Sequence, residues 1–129
     1  MEKVKINFSM MIDDLEDTVF ESEGLILKDK MHFDDPNHFH YVIEFSNHSV
    51  HIDRKGHTIM KLILETDMIT NGTLMTEGLT FPFTVRTHHI SLTEGLLLVK
   101  YDMLDEQTII SRHQLMIKWN QNGRNGKND

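Results

Sequence analysis

Two alternating runs near the C-terminus constrain the fold of this chain more than any other feature. Residues 95–103 read Gly-Leu-Leu-Leu-Val-Lys-Tyr-Asp-Met, and residues 108–119 read Thr-Ile-Ile-Ser-Arg-His-Gln-Leu-Met-Ile-Lys-Trp. Only Leu104-Asp105-Glu106-Gln107 separates them. Side chains on a strand point to alternate faces, so period-two alternation across a short polar link predicts a β-hairpin. Strands this long exceed the usual ~5–6 residues and suit a barrel wall or a strongly curved sheet.

The same alternation runs through the rest of the chain. Val4, Ile6, Phe8, Met10 and Ile12 occupy alternate positions and predict a first strand. Asp13-Asp14 begins a turn, and residues 18–27 form a second strand in which Gly24 marks a bulge or bend. Lys28-Asp29-Lys30 turns, and Asp34-Asp35-Pro36-Asn37 is a loop signal. Tyr41, Ile43 and Phe45 share one strand face with Phe39, and Val50, Ile52 and Arg54 share another. Asn71-Gly72 reads as a two-residue hairpin turn, because both central positions of such a turn take positive φ. Pro82 has no N–H to give a ladder and implies a bulge, a seam or an edge.

Composition agrees with sheet. The 129 residues contain no alanine, the strongest helix former. There is no cysteine, which excludes disulfides and thiolate chemistry. The length suits one domain, spanning residues 1–119. Residues 120–129 are polar and rich in Gly and Asn, and predict a disordered tail. About eight to ten strands joined by short turns must each bury one face. The expected architecture is all-β: a closed or partly open antiparallel barrel, with a β-sandwich as the alternative.

Three segments carry a family resemblance. They are Ile52-Asp53-Arg54-Lys55-Gly56, then Glu77-Gly78-Leu79-Thr80-Phe81-Pro82-Phe83-Thr84, then residues 95–103 leading to a strand with His113 and Trp119. Together they resemble the YwiB-like family of uncharacterised bacterial proteins. The resemblance implies a calycin-like β-barrel, as in lipocalins, and it brings no activity and no catalytic residues.

The formal charge of −7 disfavours nucleic acid, and no local basic patch is expected to offset it. No apolar run approaches the ~20 residues that cross a bilayer, so no membrane partner is expected and the cytoplasm is the expected location. Protonating all nine histidines would take the charge to +2. Imidazole binds transition metals, yet His32, His38, His40, His51, His88 and His89 fit no known ligand spacing, so no metal site and no cofactor are expected. His88 and His89 are adjacent and should face opposite ways. No serine has a nucleophile-elbow context, and the paired carboxylates fall in turns. An enzyme is therefore the least favoured class.

The inward face offers three candidate ligand contacts. Arg54 follows Val50 and Ile52 on one face and could hold a carboxylate bidentately. Tyr101 shares a face with Leu97, Val99 and Met103, and His113 shares one with Leu115, Ile117 and Trp119. Hairpin neighbours would bring these two together. Two functions stay open. One is a non-enzymatic barrel that binds a small apolar or amphipathic molecule through Arg54, Tyr101 and His113. The other is an interaction protein with a filled core, in which these groups are satisfied by each other or by backbone.

Overall fold

The computed structural model describes residues 1–121. Its ten strands are β1 (Glu2–Ile12), β2 (Leu15–Leu27), β3 (Lys30–Asp34), β4 (His40–Phe45), β5 (Ser49–Lys55), β6 (Ile59–Glu65), β7 (Ile69–Thr76), β8 (Leu79–Thr93), β9 (Leu96–Asp105) and β10 (Thr108–Gln121). Each pairs antiparallel with its sequence neighbour, and β1 pairs with β10 from Val4↔Gln121 to Ile12↔His113. The sheet therefore closes into a barrel. Closure removes the sheet edges and excludes the sandwich. A closed antiparallel barrel of ten strands is the architecture that the family resemblance implies.

The expected C-terminal hairpin forms as β9 and β10, joined by Glu106-Gln107. Strand β10 continues to Gln121, two residues past the expected domain end at 119, because Asn120 and Gln121 pair with Lys5 and Val4. The rest of the expected tail, residues 122–129, lies outside the described residues.

Tight turns set the register. Asp13-Asp14, Glu77-Gly78 and Glu106-Gln107 each place both central residues at positive φ, as a two-residue hairpin requires. Only one of these six positions is glycine. Asn71-Gly72, in contrast, is not a turn. Both residues lie inside β7, opposite Thr84 and Phe83 of β8. Gly72 is there for space: a Cβ would sit 2.4 Å from the Phe83 ring. Gly24 follows the same logic rather than marking a bulge. It pairs with Val4 and Phe33, and a Cβ would meet Ile6 at 2.4 Å and the His32 carbonyl at 2.6 Å. The bulge in this hairpin is at Met10/Met11 instead. Pro82 sits where β8 extends beyond β9: residues 79–83 pair with β7 alone, so one side of the ladder is free.

The inner faces fill the barrel unevenly. One end, here called lower, carries the turns at Lys28-Asp29 and Glu94-Gly95. Val4, Ile6, Ile43, Val50, Leu97 and Ile117 are fully buried in that half. The rings of Phe45 and Trp119, 5.4 Å apart, stand across its end. An aromatic belt lies above: Phe8 stacks on Phe20 at 4.7 Å, and Phe33 stacks on Tyr41 at 4.8 Å. Beyond the belt, Met10, Ile12, Met60, Leu74, Phe83 and Met103 point inward by the same alternation, yet each is only half-buried. Inward side chains keep such exposure only if solvent enters from that mouth.

Candidate functional site

The upper half of the lumen holds the polar groups. Three consecutive strands supply one row: His113 of β10 is opposite Tyr101 of β9, which is opposite Thr87 of β8. The rings of Tyr101 and His113 stack at 4.8 Å with 16° between planes. A second row comes from β4 and β5, where Tyr41 is opposite Arg54. Tyr41 is the member of the second row whose field reaches Tyr101 and disfavours its ionisation.

Each side chain is placed by its strand's alternation. Arg54 is the last inward residue of β5, after buried Val50 and Ile52. Its guanidinium lies 4.5 Å from the Phe39 ring centre, a cation–π geometry. Phe39 reaches the mouth because Gly56 makes room: a Cβ at Gly56 would be 2.5 Å from the ring. Nη2 of Arg54 donates to Thr58 Oγ1 at 3.4 Å, a long bond.

Burial decides the protonation states. It raises the Tyr101 hydroxyl well above the usual phenol range, with Tyr41 adding to the effect. Tyr41 is raised by burial first and then by Asp35, while Arg54 opposes. Both tyrosines therefore remain O–H donors at neutral pH. His113 is lowered by burial, against the opposing pull of Asp13, Asp17 and Asp102. It is neutral at pH 7, with Nε2 2.7 Å from Ser111 Oγ.

Three buried side-chain polar atoms lack a hydrogen-bond partner among the described residues: Arg54 Nε, Thr87 Oγ1 and His113 Nδ1. An unmet buried polar group costs about 1–3 kcal/mol, so folded proteins keep few of them. Here all three belong to the two rows of one lumen.

The expected residues Arg54, Tyr101 and His113 all face inward. Tyr101 and His113 meet as the hairpin predicts. Arg54 instead joins Tyr41, Phe39 and Thr58, and only Tyr41 links it to the other pair. Sequence reading did not single out Tyr41 or Thr87. Tyr41 had a signal, because it shares a face with Ile43 and Phe45 on the strand before that of Arg54. Thr87 had none.

The histidines separate. His40 Nδ1 is 2.6 Å from Asp34, and its ring is 5.7 Å from that of His32. No group of three metal-ligating side chains converges among the described residues. His88 and His89 do not face opposite ways, because a bulge between Thr87 and His89 leaves both exposed. No helix long and apolar enough to cross a membrane occurs among the described residues.

A family model described as a domain of unknown function (DUF1934) matches residues 4–117. The crystal structure of the ywiB protein from Bacillus subtilis superposes with a TM-score of 0.69 at 14% identity. The match covers 93% of this chain and 92% of that one, and it speaks for the fold. No curated protein matches the chain.

Proposed function

The chain belongs to that family of unknown function, and from this premise we propose that it is a small cytoplasmic, non-enzymatic barrel that binds a small amphipathic molecule in the upper half of its lumen. The observation that carries the reading is the set of three unpartnered buried polar atoms on Arg54, Thr87 and His113. A ligand head that reaches them would remove their desolvation penalty. The half-buried Met10, Met60, Phe83 and Met103 offer the apolar body of the ligand adaptable contacts. Arg54, Tyr101 and His113 are the polar contacts, with Tyr41 and Thr87 beside them. A lined apolar space with a few convergent polar groups is the usual form of a small-molecule site.

Native mass spectrometry of protein purified from its own host tests this. The expected result is a retained small molecule in the wild type that is lost in Arg54→Met. A wild type that carries no adduct, and that binds neither dodecanoate nor 8-anilinonaphthalene-1-sulfonate when these are added, would refute it.

A second reading rests on the rim. Leu79 and Ile110 are about 60% exposed, and Phe81 and Ile109 are nearly half exposed, all beside the upper mouth. Apolar groups gathered there suit a protein partner. Concentration-dependent mass in light scattering, abolished by Leu79→Ser with Ile110→Ser, would favour it.

A further inference from the structure

We propose that a second site, on the outer wall of the barrel, binds a small molecule through a phosphate group held by Lys100, Arg112 and His88. A pocket of about 510 Å³ opens there, lined by these three residues together with Asp102, Gln114 and Ile109. The pocket also borders Tyr101 and His113 of the lumen row, but its cationic side chains come from the outward face of β8, β9 and β10.

The cationic face is invisible in the linear sequence. Arg86, Asp102 and Arg112 lie in one row across three strands, and Lys100 lies one row below, opposite Gln114. Register thus gathers three permanent cations on a chain whose formal charge is −7. Among the described residues, none of the three has an acidic partner within 4.0 Å. Unpaired neighbouring cations repel one another, and a dianion between them removes that repulsion. Guanidinium forks match phosphate geometry, and an ammonium adds a point charge.

Asp102 explains the third donor. It is an outward residue yet only 4% exposed. Its carboxylate takes His88 Nε2 at 2.6 Å rather than either flanking arginine. This bond fixes the orientation of an otherwise half-exposed ring, and in the imidazolium form Nδ1–H is left to donate to a phosphate. Such a carboxylate–imidazole pair orients the ring, as it does where histidine serves as a ligand. His88 faces outward by alternation from Thr87, and the bulge at Thr87/His89 turns His89 outward beside it. Asp14 also lines the pocket, from the β1–β2 turn. It opposes the cations and sets the phosphate towards the Lys100–Arg112 side. Met11 and Ile109 give the organic part of the ligand an apolar contact.

Amide chemical shifts of the full chain, followed on adding phenyl phosphate, inorganic phosphate, benzoate or a deoxythymidine decamer, test the site. Expected are shifts centred on residues 100–102 and 112–114 with phenyl phosphate, weaker ones with inorganic phosphate, and none with the monoanion benzoate. Lys100→Gln and Arg112→Gln should each weaken phenyl phosphate at least about tenfold. Lys118→Gln, on the same wall outside the pocket, should leave it unchanged. Arg112→Gln preserves the bond from the Arg112 backbone N–H to Asp13, so the β1–β2 turn stays in place. Equal weakening by all three substitutions, no shifts at those residues, or shifts with the decamer alone would each overturn the proposal.

Discussion

The two halves of this barrel are built from the same alternating strands but filled on different terms. In the lower half Ile6, Ile43, Leu97 and Ile117 have no exposed surface. In the upper half the inward residues Met10, Met103 and His113 of β1, β9 and β10, and Arg54 of β5, are half-buried. The lower half is close-packed, as protein interiors are. The upper half instead combines flexible methionines with polar atoms that lack partners. Close packing and the proposed binding space thus lie at opposite ends of the barrel axis, and substitutions should separate them.

The largest effects should come from the lower half. Ile117→Ala removes a fully buried side chain from β10 and should cost about 2–5 kcal/mol in denaturant unfolding. Gly24→Ala should follow at about 1–3 kcal/mol, because its Cβ would press on Ile6 and on the His32 carbonyl, and backbone cannot yield cheaply. A loss in Met60→Ala as large as that of Ile117→Ala would break the comparison, since Met60 should cost no more than about 1 kcal/mol.

Arg54→Met should leave stability nearly unchanged, because removing the unpartnered Nε offsets the loss of the long bond to Thr58 and of the contact with the Phe39 ring. The same substitution should weaken an anionic amphiphile such as dodecanoate at least about tenfold, read by calorimetry.

The smallest expected effect is a pH dependence. His113 has its folded-state pKa lowered by burial, so the unfolded chain binds more protons than the folded one between that value and about 6.5. Stability therefore rises with pH through that window and falls as the pH drops through it. His113→Gln should flatten the urea-unfolding profile below about pH 6.5. An unchanged slope would place the titrating group elsewhere.

Much of the fold could be read from alternation alone. The inward faces of β1, β4, β5, β9 and β10 follow from period two, and so do the inward positions of Arg54, Tyr101 and His113. What escaped depends on contacts between distant segments. Asn71-Gly72 has the local chemistry of a hairpin turn, but Phe83 needs the space above Gly72, and packing prevailed. The true turn at Glu77-Gly78 puts a glutamate at positive φ, which local preference does not suggest. The bulge that turns His89 outward has no local signature. The Arg86–Asp102–Arg112 row exists only once three strands are in register. Thr87 is likewise an ordinary strand residue until β8 meets β9 and the turn after β6, where Asp67 N–H donates to the Thr87 carbonyl.

Amide shift mapping with 8-anilinonaphthalene-1-sulfonate and dodecanoate tests the division of the barrel most directly. The account predicts shifts at Met10, Arg54, Tyr101 and His113, with Ile43, Leu64 and Leu97 unmoved. Shifts confined to the outer wall, or spread equally through both halves, would contradict it.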